Sequence, residues 1–169
     1  VPGIDGFGAK RIGHMETIEF LQSVEGAERP WRFPAINMSD GTLRALALLV
    51  ALFQGSEQSR VPLVGVEEPE TALHPAAARV LRDCILEASE RVQVLVTSHS
   101  ADLLDDPTIG AEMIRAVVAE ANRTAIGRVS EATRSALRDH LFTAGELLRI
   151  QQLEIDPAAR DIRRQMRLF

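Results

Sequence analysis

Three observations along this chain predict an α/β fold with a mostly parallel central sheet flanked by helices. Two continuous apolar runs, residues 61–67 and 92–97, bracket a stretch with helical apolar spacing (Val80, Leu81, Cys84, Ile85, Ala88). Strand, helix, strand in that order implies parallel strands joined by a right-handed crossover. Ahead of them, residues 15–24 alternate in part through Ile18 and Phe20, and residues 31–36 form a second short apolar run. The turn-like residues 25–30 between these runs predict an N-terminal antiparallel β pair. Behind them, residues 131–167 read as a helical C-terminal tail of two or three helices, broken at Asp156-Pro157.

The other elements follow from local signals. Ser39 is placed to cap a helix through residues 43–54, closed by Gly55. Leu46, Leu49, Val50 and Phe53 share a face of that helix, which the sequence predicts to be buried. Residues 61–67 lack alternation, as expected of a strand covered on both sides. Pro75 opens the next helix, which runs to about Arg91. Residues 114–119 are a third strand candidate. Ser100-Ala101-Asp102 reads as the start of a short helix that Asp106-Pro107 ends.

Composition narrows the class. A chain of 169 residues suits one domain, and residues 1–169 are read as a single one. Hydrophobic residues make up 46% and charged residues 25%, a globular balance. The net charge of −5 supplies no bulk attraction to nucleic acid, so such a partner is neither indicated nor removed. Cys84 is the one cysteine and fits a buried thiol in a helical pattern. No apolar run has bilayer length, so no membrane partner is expected. The first residues carry no basic region or apolar signal core, and the expected compartment is the cytoplasm. A start at Val-Pro-Gly reads as a piece of a longer polypeptide.

The chemistry gathers at strand ends. In a parallel sheet, ligands bind beyond the carboxyl ends of the strands. Leu63-Val64-Gly65-Val66-Glu67-Glu68 ends there in two carboxylates, and His99, within Ser98-His99-Ser100, follows the next apolar run. Neighbouring side chains at a strand end point to opposite sides, so Glu67 and Glu68 cannot share a task. One is suited to hold a magnesium ion, the other to orient and deprotonate a water. A carboxylate pair ending an apolar strand is costly without such partners, which weighs against a plain solvated loop. His99 is positioned to reach a terminal phosphate. His14 and His140 have no supporting neighbours and are read as structural; His74 is read as a helix-entry residue. Asp102, Asp105 and Asp106 suggest a metal nuclease site less well than a short helix. Arg160, Arg163, Arg164 and Arg167 share a helical face without interleaved aromatics, which favours a solvated basic end over a phosphate stripe.

These residues match a family pattern. Met38-Ser39-Asp40-Gly41-Thr42-Leu43-Arg44 resembles the signature motif of ATP-binding-cassette ATPases, in the variant of the RecF, overcoming-lysogenization-defect and structural-maintenance-of-chromosomes group. Residues 63–68 look like a Walker B strand, Glu70-Thr71-Ala72-Leu73-His74-Pro75 like the D-loop after it, and His99 like the switch histidine. The resemblance covers about residues 36–105, with four motifs in family order. Thr143-Ala144-Gly145-Glu146-Leu147-Leu148 is similar to the usual ending of RecF-like AAA ATPases. The implied fold is the C-terminal lobe of a P-loop NTPase head. Two departures stand out. Glu67 occupies a position where Asp is more usual, and there is no G-x-x-x-x-G-K-[ST]. The nearest stretch, Gly3-Ile4-Asp5-Gly6-Phe7-Gly8-Ala9-Lys10-Arg11, has Ala9 where Lys belongs and no apolar strand before it. It reads as an ordinary Gly-rich loop.

The resemblance implies ATP hydrolysis by two heads docked head to tail, with ATP and Mg2+ as ligands. ATP sits on the Walker A loop of one head and is closed by the signature of the other. Carried onto this chain, Ser39, Asp40, Gly41 and Thr42 hold the γ-phosphate of the partner's ATP, Glu67 binds magnesium, Glu68 activates water and His99 senses the γ-phosphate. The partners implied are a Walker A lobe, upstream or on a separate chain, and a second copy in a homodimer. The chain alone is expected to be an inactive half of an ATPase. A non-catalytic head supplying its signature in trans is the first alternative, and the intact Glu68 argues against it. A carboxylate-metal phosphoesterase is the second, and no further acidic cluster at a neighbouring strand end supports it.

Overall fold

A computed structural model of the protein describes residues 4–54, 61–71, 73, 75–120 and 122–160. The chain divides into two compact units, one of Val1–His74 with Cys84–Val96, the other of Pro75–Asp83 with Thr97–Phe169. The class is the mixed α/β one that the sequence predicts, with a strand–helix–strand in the middle of the chain and antiparallel strands before and after it in sequence. Among the described residues no helix is long and apolar enough to cross a membrane.

The first unit begins with β1 (Ile4–Ile12), β2 (Met15–Gln22) and β3 (Trp31–Pro34), an antiparallel sheet in that order. The predicted pair is β2 with β3, registered Phe20↔Phe33 and Gln22↔Trp31. The Gly-rich stretch is not a loop. Its described residues form β1, paired with β2 from Ile4↔Gln22 to Ile12↔Met15, with a register shift between Ile4 and Gly6. Gly13, at φ 61°, and His14 make the tight turn between these strands, a conformation that glycine supplies without steric cost. The alternation that the glycines obscure is carried by pairing instead. Phe7 lies opposite Phe20, which is buried to 2% exposure, and Lys10 pairs with Glu19.

Next come α1 (Asp40–Phe53), β4 (Leu63–Glu67), α2 (Pro75–Ser89) and β5 (Gln93–Thr97). β4 and β5 are hydrogen-bonded neighbours, and Gln93 N donates to Pro62 O at 3.3 Å, so the strands start side by side. Leu52, Val64 and Ala88 form the buried core here, with Val66, Ile85, Val92 and Val94 packed on it. Two expectations are corrected. β4 and β5 are covered on one side only: Val64 is buried, whereas Leu63 and Leu95 are 49% and 60% exposed. Helical residues of this unit, Ala51, Leu52, Ile85 and Ala88, pack with the buried side of the pair. The buried face of α1 is also turned from the predicted one. Leu52 is 3% exposed, while Leu49, Val50 and Phe53 are exposed, and the Phe53 ring lies under the Arg91 guanidinium at 5.2 Å. Ala51 and Leu52, not Leu49 and Val50, meet the core. The predicted closing residue of this helix, Gly55, lies outside the described residues.

The second unit holds β6 (Ala116–Glu120), β7 (Arg123–Gly127), α3 (Glu131–Arg138), α4 (Ala144–Arg149) and α5 (Pro157–Arg160). The third strand candidate is β6, and it pairs antiparallel with β7, a strand the sequence reading does not contain. The described part of the tail, residues 131–160, holds three short helices, the last opened by Pro157 as its breaking position predicts. Ile114, Ala116, Ala125, Val129, Leu137, Ala144, Leu147 and Ile155 make this unit's core. Ser130 caps α3 through Thr133 N, and Thr143 with Glu146 forms a capping box on α4. The predicted short helix after Ser100 is a run of turns. Ser98 Oγ accepts from Ser100 N and Ser100 Oγ from Leu103 N, giving the backbone local partners that compete with a helix.

Candidate functional site

The head of α1 is built as its sequence dictates. Ser39 has extended backbone (φ −66°, ψ 147°), and its Oγ accepts from Thr42 N at 3.2 Å and lies 2.9 Å from Thr42 Oγ1. Ser39 and Asp40 are exposed. The first N–H groups of a helix have no intrahelical acceptor and carry the positive end of the dipole, so this end attracts an anion. The Asp40 carboxylate in the first turn stabilises the helix through the same field. The cap occupies Thr42 N, which leaves the backbone donors of Asp40 and Gly41, at the very start of the helix, to face an incoming oxyanion.

Glu67 is the last residue of β4 and its side chain is exposed. Glu68 follows with φ 41°, a left-handed backbone that a non-glycine residue adopts at a cost of about 1–3 kcal/mol unless its surroundings enforce it. The surroundings are specific. Arg44, on the second turn of α1, donates from Nη2 to the carbonyl oxygens of Glu67 at 3.2 Å and Glu68 at 2.9 Å. Thr71 N donates to Glu68 O at 3.0 Å, and Thr71 Oγ1 to Glu68 Oε2 at 3.4 Å. Pro69 is fully buried, and Leu73 N closes the next turn on Glu70 O. The carboxylate pair therefore leaves β4 through a sharp, doubly held bend tied to α1. Arg44 and Thr71 lie inside the stretches that the sequence singles out. The positioning role of Arg44 carries no one-dimensional signal, because its contacts cross 23 and 24 residues of chain, whereas Thr71 bonds Glu68 locally, three residues away.

His99 lies in the second unit, two residues past the end of β5, and is exposed. The structure thus brings Ser39–Thr42, Glu67 and Glu68 into one unit and places His99 in the other. His74 and Ala72 of the D-loop-like stretch lie outside the described residues, as do Arg163, Arg164 and Arg167 of the basic stripe. Asp102, Asp105 and Asp106 are engaged elsewhere: Arg149 bonds Asp102 and Asp105, and Arg82 bonds Asp106. Among the described residues no three His, Cys, Asp or Glu side chains converge as a metal site. A magnesium ion held mainly by substrate phosphates and one or two carboxylates needs no such cluster, and the exposed Glu67 fits that mode.

Residues 21–106 match the family model described as "AAA domain, putative AbiEii toxin, Type IV TA system". Among curated proteins none matches. A solved structure described as "Structural biochemistry of ATP-driven dimerization and DNA stimulated activation of SMC ATPases" is similar at 17% identity and a TM-score of 0.53. That similarity covers 81% of this chain and 82% of the other. At that identity the likeness speaks for the fold alone.

Proposed function

Because the chain belongs to this AAA-domain family, an ATPase family, we propose that it is the signature and Walker B half of a RecF-like ATPase. It completes its ATP site with a Walker A half and works as a head-to-tail dimer. The observation that carries the reading is the Arg44 clamp. A signature-like helix head and a carboxylate pair, separated by more than twenty residues, are joined by one guanidinium. A solvated Glu-Glu turn has no need of that connection or of a left-handed Glu68.

Within this reading each residue has a task. The helix head formed by Ser39, Asp40, Gly41 and Thr42 receives the γ-phosphate of ATP bound to the partner head, with the backbone donors of Asp40 and Gly41 free to bond it and Thr42 N held in the Ser39 cap. Glu67 holds Mg2+, which neutralises phosphate charge when bound. Glu68 orients water and takes its proton, and Thr71 fixes one of its carboxylate oxygens. His99 contacts the γ-phosphate from the loop after β5. The ATP-driven dimerization in the description of the solved structure belongs to that protein; here it motivates the test.

The experiment joins the chain to its Walker A half and follows mass by light scattering with ATP and Mg2+. Glu68→Gln keeps shape and removes the base, so hydrolysis falls by ~10²–10⁴-fold and an ATP-bound dimer accumulates. Ser39→Arg puts bulk and charge at the seam, so ATP still binds while dimer and turnover are lost. Two monomeric variants, or normal turnover in Ser39→Arg, would falsify the composite site.

A further inference from the structure

The loop that carries His99, residues 98–106, has no helix or strand of its own and is held by residues some forty positions away. Arg149, at the end of α4, donates from Nη2 to Asp102 Oδ1 at 2.6 Å and from Nη1 to Asp105 Oδ2 at 3.0 Å. Thr143 Oγ1 donates to the other Asp105 oxygen at 2.7 Å. Gly145 N donates to Leu104 O at 3.1 Å. A Cβ on Gly145 would collide with the Ala101 carbonyl oxygen and come within 2.8 Å of Asp105 N, so only glycine lets α4 lie this close. From α2, Arg82 donates to Asp105 O at 3.0 Å and pairs with Asp106 at 3.0 Å, with its side chain 9% exposed. Leu103 is buried beneath the loop. All of these residues belong to the second unit.

The pattern is selective. Every one of these contacts falls on residues 101–106, and together they leave His99, at the loop's start, exposed. We infer that α4 is a template for the His99 loop and that Arg149 is its main positioning residue, spanning Asp102 and Asp105 so that His99 is presented at one height and angle. The inference rests on the reading of His99 as the γ-phosphate contact. A guanidinium can bridge two carboxylates in fixed geometry, whereas an ammonium serves as a point charge. A misplaced group loses transition-state contacts steeply with distance.

The test uses the polypeptide joined to its Walker A half and measures turnover, the KM for ATP and melting temperature. The variants are Arg149→Met, Arg149→Lys, His99→Ala and the double variant Arg149→Met/His99→Ala. Arg134→Met is the control, because Arg134 also spans two acids, Glu131 and Asp156, away from this loop. Arg149→Met should lower turnover roughly 10- to 100-fold with the KM for ATP unchanged. Arg149→Lys should recover only part of it. The double variant should turn over at the rate of His99→Ala, and Arg134→Met should melt lower with turnover intact. Should Arg149→Met not fold, Asp105→Asn, which keeps its shape and the Thr143 bond, is judged by the same cycle. The inference is overturned if the loss multiplies that of His99→Ala, or if turnover stays normal. A His99→Ala protein with normal turnover overturns the assignment of His99 itself, and the inference with it.

Discussion

Arg44 Nη2 donates to Glu68 O at 2.9 Å, and Glu68 sits at φ 41°. The guanidinium belongs to the helix that Ser39 caps; the carbonyl belongs to the bend that follows β4. A charged donor on a backbone oxygen is worth more than a neutral one, about 1.5–3 kcal/mol. That is the same size as the strain of the left-handed residue it holds.

The pairing predicts opposite effects at its two ends. Arg44→Met removes the donor while keeping an apolar stem, and should lower the melting temperature of this chain. Glu68→Gly relieves the backbone strain and should melt higher than Glu68→Ala, by about 1 kcal/mol or more in unfolding free energy. Denaturant melts of the three variants decide it, and a Glu68→Ala protein as stable as Glu68→Gly would show that the bend is unstrained.

The two leucines of α1 should behave differently. Leu52 is 3% exposed in the core with Val64 and Ala88, so Leu52→Ala should cost about 2–5 kcal/mol. Leu49 is 40% exposed, so Leu49→Asp should cost less than Leu52→Ala, about 1 kcal/mol from helix propensity and partial burial. Urea unfolding followed by circular dichroism measures both.

Asp105 should make stability fall in acid. The hydrogen bond from Thr143 and then the Arg149 bond hold its carboxyl below the ordinary value of 3.8. A depressed folded value means that the contribution is complete above 3.8 and is lost as pH falls through the lower folded value. Asp106 acts in the same direction, through its two bonds from Thr108. Thr143→Val should therefore shrink the difference in stability between pH 6 and pH 3. An unchanged difference would remove Thr143 from the cause.

The chain by itself should not turn over ATP. In the function proposed above its residues supply the signature, the magnesium carboxylate and the base, while the resemblance assigns most phosphate contacts to a Walker A loop. β1, where the nearest Gly-rich stretch lies, is paired along its length with β2 and is not shaped as a phosphate cradle. A phosphate-release assay on the purified chain checks this. Sustained turnover that Glu68→Gln abolishes would show that the site is complete without a second half.

What the sequence determined by itself was local. Ser39, Ser130 and Thr143 cap helices because a hydroxyl three residues before a free N–H suffices. The apolar runs became β4 and β5 because continuous β-branched stretches bounded by turn residues have few other uses. The spacing of Glu67, Glu68 and His99 after those runs placed them at strand ends. Only the tertiary structure decided which face of α1 is buried, because Leu49 and Leu52 are equally apolar and their difference lies in what packs against the helix. It decided that the Gly-rich stretch is a strand, since pairing with β2 overrides glycine's freedom. It also decided that Arg44 grips the Glu68 bend and Arg149 the His99 loop. Such bonds join residues 24 and more than 40 positions apart, and their energy appears only after the chain between them has been folded back.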